Sequence, residues 1–196
     1  MRETPISGTN DYSFKAYGPE NSFKPGVNLF ALIRHNIDVG GVLEPKRSVR
    51  VAQEGFRCQG DSLLIDHVQG TGPAHDLRRH GISPKAVFDN FKHDCGLNPI
   101  ASILASTLLT AKEANLREAV WSPDAHKKGV RLNYERVLRC TGFRPDTNKE
   151  FRLQLDKPSD ELTPIILRRS IGASPRKLEK FWQLHESARE AILDLF

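Results

Sequence analysis

No run of apolar residues in this chain approaches the roughly 20 that a membrane-spanning helix needs, so none is expected. Met1-Arg2-Glu3-Thr4-Pro5 leads into no apolar signal core, and secretion is not expected either. Cysteine is scarce. Cys58, Cys95 and Cys140 are unevenly spaced and form no Cys-x-x-Cys pair, which argues for free thiols in a reducing compartment rather than a disulfide framework. Marked catalytic signatures are missing too: there is no Gly-x-Ser-x-Gly, no His-Glu-x-x-His and no deaminase signature. The turn Gly70-Thr71-Gly72-Pro73 is too short for a phosphate cradle and lacks a following Lys-Ser/Thr.

Histidine is present but poorly spaced for metal. His75 and His80 are five apart, and His93 and Cys95 are two apart on a helix end; neither pair presents two ligands together. No metal or other cofactor is therefore expected. Asp66-His67 has the residue types of an acid–base pair, yet neighbours on a strand point to opposite faces. A binding protein without catalytic activity is the expectation. An enzyme with an unfamiliar site around His67, His75 and His93 is the lesser alternative.

What is present suits a folded, basic protein. Hydrophobic residues make up 38% and charged ones 27%, enough apolar material for a core. A net charge of +5 suits an acidic protein surface or a nucleic acid. Two stretches read alike: Leu77-Arg78-Arg79-His80-Gly81-Ile82-Ser83-Pro84-Lys85 and Leu167-Arg168-Arg169-Ser170-Ile171-Gly172-Ala173-Ser174-Pro175-Arg176. Each offers a basic turn and a capped helix start.

Residues 1–26 read as an extended arm and 27–75 as a small mixed portion. Leu29, Phe30, Leu32 and Ile33 suit a short helix before Gly40-Gly41, while 48–51 and 62–68 suit strands, with a hairpin between them. Residues 76–196 read as a helical domain. Ser83-Pro84 opens a helix with a capping hydroxyl and a proline where no donor is missed, and Gly96 ends it. Asn98-Pro99 repeats the device for a longer helix towards Val120. A short helix is expected from Asn133 to Cys140, a polar surface loop over 146–160, and further helices from Thr163-Pro164 and Ser174-Pro175. The expected class is mainly α, with a bundle-like C-terminal two-thirds and a loop-rich N-terminal portion.

In the last helix Leu178, Phe181, His185, Ala188, Ile192 and Leu195 fall at spacings of three and four, and Trp182 widens the stripe. The stripe can pack on the chain's own core or form the seam of a homodimer. A helix-turn-helix over residues 163–183 is a further reading. It would place Arg176, Lys177 and Lys180 at the start of a recognition helix for DNA, although Arg168 stands where that motif needs a small residue.

Four segments carry a family resemblance. They are Ile82-Ser83 with Phe91 and Gly96; Leu116-Arg117-Glu118-Ala119; Asn133-Tyr134 followed by Gly142-Phe143-Arg144-Pro145-Asp146; and Thr163-Pro164 with Ile166 and Arg169. In this order they resemble the polarity-suppression (Psu) family of satellite bacteriophages over roughly residues 80–170. The resemblance implies a helical, dimeric phage protein that decorates a capsid and binds the termination helicase Rho, acting in antitermination. It would work in the bacterial cytoplasm or on the virion. The mixed, loop-rich residues 1–75 depart from the family's long helical coiled coil. Independently of the family, Gly142 ends a helix, Phe143 anchors the turn, and Arg144 is left exposed to grip a carboxylate or phosphate. Arg168 and Arg169 are candidate contacts of the same kind.

Overall fold

A computed structural model describes residues 2–9, 11–22, 25–37, 47–70, 83–121, 139–146 and 150–196. Strands β1 (Arg2–Pro5), β2 (Tyr12–Tyr17), β3 (Asn28–Ile37), β4 (Arg47–Gln59) and β5 (Ser62–Gly70) come first. Helices α1 (Pro84–Cys95) and α2 (Pro99–Glu113) lead to β6 (Glu118–Trp121). Strands β7 (Arg144–Pro145) and β8 (Phe151–Gln154) follow, then helices α3 (Ser159–Ser170) and α4 (Pro175–Ile192) and a 3-10 turn, Leu193–Leu195.

The mainly helical expectation is overturned. Eight strands form one mixed sheet in the order β1-β2-β3-β4-β5-β6-β8-β7. The pairs are antiparallel except β5 with β6, which run parallel. Residues 1–26, read as an arm, supply β1 and β2. The stretch read as a short helix from Val27 is β3. Leu29, Phe30, Ala31, Leu32 and Ile33 are all buried, so the strand is covered on both faces and shows no alternation to separate it from a helix. The strands expected near residues 48–51 and 62–68 are present, longer, and joined as the β4–β5 hairpin. All three stretches expected as separate portions share one sheet and one core cluster, which runs from Ile6 to Ile192.

At Ser83-Pro84 and Asn98-Pro99 the helix starts fall as expected. The Ser83 hydroxyl accepts from the Ala86 amide at 3.4 Å and Pro84 follows. Asn98 Oδ1 accepts from the Ala101 amide at 3.1 Å and Pro99 follows. The far end of α2 differs: it stops at Glu113, and the Leu116 amide turns back to the Ala111 carbonyl at 3.0 Å. The Arg117 amide then bonds the Asp61 carbonyl at 2.7 Å, so Leu116 to Val120 joins the sheet. The supposed polar loop over 146–160 contains β8. Helix α3 begins at Ser159, with Asp160 and Glu161 favourably placed in its first turn, and Pro164 lies inside it rather than at its start. The helix expected over residues 133–140 lies almost wholly outside the described residues.

Helix α2 packs on β3, β4, β5, α3 and α4, and α4 also covers β1 and β2. Phe14, Phe30, Phe56, Phe91 and Phe181 are fully buried between them. Helix α2 thus backs β5, one member of the parallel pair.

Candidate functional site

Strands β5 and β6 meet in parallel from Ser62↔Glu118 to Ile65↔Trp121. Beyond that point β5 continues to Gly70, and β6 contributes no further partner among the described residues. In open, mostly parallel α/β sheets ligands bind beyond the carboxyl ends of the strands at a switch in strand order. This mostly antiparallel sheet has a single parallel pair among the described residues. At this level β4 and β5 contain a bulge: Gly55 pairs with His67 and Phe56 with Ile65, which makes Asp66 the extra residue.

The bulge breaks the alternation that would send Asp66 and His67 to opposite faces. The two side chains do not point apart; His67 Nδ1 lies 3.0 Å from Asp66 Oδ2. On its other side, His67 Nε2 lies 3.4 Å from Gln53 Nε2. Arg50 donates to Gln53 Oε1, which fixes the amide orientation and leaves its NH2 to face the imidazole. The Gln53 amide then donates to His67 Nε2, and His67 carries its proton on Nδ1, donated to Asp66. This tautomer follows from the network. His67 and Asp66 side chains keep 25% and 21% of their surface exposed, so a ligand can reach them. A cleft of about 190 Å³ lined by Arg57, Leu64, Ile65, Asp66, Val120 and Glu150 opens on the Asp66 side of the pair.

Gly55 is required under the ring. A Cβ there would stand 2.3 Å from His67 Cε1 and 2.5 Å from its Nδ1. Gly55→Ala is expected to push the imidazole off Asp66 at a cost of about 1–3 kcal/mol, read by chemical denaturation and by the His67 ring resonances. Unchanged stability and unchanged resonances would count against the packing described.

Glu54, next to Gly55, faces the opposite way. It is fully buried under α2, and Thr107 Oγ1 donates to its Oε2 at 2.8 Å. Burial pushes its pKa up to about 8, against the smaller lowering by the Thr107 bond. At neutral pH Glu54 is mostly a neutral acid. Sequence reasoning missed Arg50, Gln53, Glu54 and Gly55; a Gln-Glu-Gly run inside an apolar strand was the available signal.

The expected contact residues are dispersed. Arg144, Arg168, Arg176 and Lys177 are exposed, Lys180 is half-buried, and the Arg169 side chain lies outside the described residues. His93 is exposed and pairs with Asp94 at 3.2 Å; His75 and His80 lie outside the described residues. No group of three or more potential metal ligands occurs among the described residues, and no helix there is long and apolar enough to cross a membrane.

The stripe expected as a dimer seam is used within the chain. Phe181, His185, Ala188 and Ile192 are buried, Leu178 and Leu195 pack partly against the same core, and Trp182 remains 39% exposed. This corrects the seam, because α4 closes over α2, β1 and β2. In the supposed helix-turn-helix, Leu167, Ile171 and Phe181 are buried and Ser174 makes no side-chain cap bond.

His185 stacks on Phe181, its Nδ1 has no hydrogen-bond partner among the described residues, and burial lowers its pKa. Its contribution to stability is present above the unfolded value of about 6.5 and declines as pH falls through the lower folded value. His185→Leu should therefore flatten the loss of melting temperature between pH 7 and pH 5. An identical slope in both proteins would refute this.

No family model matches the chain, and no curated protein matches it. Among solved structures it is similar to a cAMP-binding acyltransferase from Mycobacterium smegmatis, with a TM-score of 0.42 and 8% identity over 97% of this chain and 55% of that one. A single-residue variant of that protein gives 0.41 and 11%, over 97% and 56%. The chain thus spans a little over half the length of those structures.

Proposed function

We propose that the chain is a group-transfer enzyme in which His67, oriented by Asp66, acts as general base at the β5–β6 fork. The observation that carries this reading is the 3.0 Å Asp66–His67 contact, created by a bulge where the parallel pair ends. With its proton on Nδ1, His67 offers the Nε2 lone pair to an acceptor's N–H or O–H, which displaces the long bond from Gln53. Asp66 holds the ring in that tautomer and stabilises the imidazolium as it forms. The group-bearing donor would enter by the cleft that Asp66 lines together with Arg57 and Glu150.

Acyl transfer is the first such reaction to assay, because an amine or alcohol deprotonated by His67 is the nucleophile that a thioester acceptor step needs. The test is release of free thiol from acetyl-coenzyme A in the presence of a panel of primary amines. Saturable, amine-dependent release supports the reading. No release and no calorimetric binding, with short or long acyl thioesters, would remove acyl transfer. Full turnover in His67→Ala would remove the base assignment.

A second, non-enzymatic reading is protein contact of the polarity-suppression type. It is supported by the exposed Arg144 in Gly142-Phe143-Arg144-Pro145-Asp146. Nuclease-resistant capture of Rho supports it, and lack of effect on Rho-dependent termination removes it.

A further inference from the structure

A second cleft, of about 340 Å³, lies between β7, β8 and α3, with Arg144, Pro145, Arg152, Lys157 and Ile165 in its lining. We infer that it binds a small organic anion, one bearing a phosphate or carboxylate head on an apolar body. Its volume falls in the range of small-molecule sites. This inference does not depend on the chemistry proposed for the fork.

The charge argument starts from Arg152. Its Nε lies 2.8 Å from Asp146 Oδ2, its Nη1 3.1 Å from Glu118 Oε2, and its Nη2 2.9 Å from Glu150 Oε2. Arg152 is thus fully engaged by three carboxylates, of which Asp146 alone lines the cleft. Arg144 and Lys157 remain. Neither cationic end forms an ion pair among the described residues, so the lining offers the Arg144 and Lys157 cations beside an Arg152–Asp146 pair, while Glu118 and Glu150 are not part of the lining.

Both cations stand on fixed backbone. Arg144 is paired with Arg152 in the β7–β8 ladder. The Lys157 carbonyl accepts from the Lys112 ammonium, which also holds the Leu155 carbonyl at 3.1 Å. A guanidinium and an ammonium lining the same cleft suit an oxyanion, the first as a planar fork and the second as a point charge.

The opposite wall is apolar. Ile165 is 38% exposed, beside Pro145 and the Leu153 floor. Gly142 leaves room for Ile165 to approach the turn, since a Cβ there would lie 2.4 Å from its Cγ2. Gly142 has φ +94, a conformation that glycine adopts without strain. Bare inorganic anions would use the charges and leave this wall wet. An apolar body covers it.

The test titrates the full chain by calorimetry with phenyl phosphate and with octanoate, against inorganic phosphate and octanol. Saturable binding is expected for at least one organic anion, at least ten-fold tighter than for either control and weakening as salt is raised. A stronger response to phenyl phosphate assigns a phosphate head; a stronger response to octanoate assigns a carboxylate. The double variant Arg144→Gln, Lys157→Gln should lose at least ten-fold with an unchanged melting temperature, and Ile165→Ser should lose the advantage over inorganic phosphate. His67→Ala should bind as the unaltered protein does, which separates this site from the fork. Failure of both organic anions to bind, equal binding of octanol, or undiminished binding by the double variant would overturn the inference.

Discussion

Glu54→Gln is expected to stabilise the protein by about 3 kcal/mol at pH 7 and to change little at pH 4. The unfolded chain ionises this carboxyl at its ordinary value of 4.5, whereas burial in the folded chain raises the value to about 8. Between those pH values folding must take up a proton, at about 1.4 kcal/mol per pH unit. The sign is fixed: the folded form binds more protons, so stability is full below 4.5 and falls as pH rises through about 8. The glutamine needs no proton, and its carbonyl can still accept from Thr107. The second oxygen of Glu54 has no hydrogen-bond partner among the described residues, so the amide NH2 meets the same surroundings as the acid O–H. Urea denaturation of both proteins at pH 4, 7 and 8.5 is the check. Parallel pH profiles would mean that Glu54 is hydrated or paired in solution.

The other large effect belongs to the fork. If His67 is the base, His67→Ala should lower kcat/KM by about 10²–10⁴ while donor binding persists. Asp66→Asn should cost less, because the imidazole remains and only its tautomer and orientation are loosened. The order of the two variants matters more than either number. A larger loss in Asp66→Asn would make the carboxylate the reacting group and His67 its support. Equal thermal stability of the variants is expected, since both side chains are partly exposed and neither fills the core. A fall in activity that tracked a fall in stability would point to a structural role for the pair.

Much of the site's chemistry is visible in the residue types, and almost none of its geometry is. Asp66-His67 is recognisable as an acid–base doublet, but regular strand alternation sends the two apart. The bulge opposite Gly55 reverses that conclusion, and a bulge is a relation between two strands rather than a property of one. The same holds for Glu54. Its place in a mostly apolar strand hints at burial, but only the packing of α2 sets Thr107 against it. The α4 stripe is legible as apolar and periodic, and periodicity cannot say whether the covering surface belongs to the same chain.

Features whose energetics are local follow from the residues themselves. Ser83-Pro84 and Asn98-Pro99 fix where α1 and α2 begin, because cap and first turn lie within four residues of each other. The turn chemistry at Gly60-Asp61 likewise marks the β4–β5 hairpin. Long-range pairing, by contrast, is what makes residues 1–26 contribute strands and residues 28–37 a strand rather than a helix. It also draws residues 118–121 out of the helical run to lie parallel to β5. Those segments gain their hydrogen bonds and their buried faces from partners far along the chain, so their own composition permits several conformations and only the assembled sheet selects one.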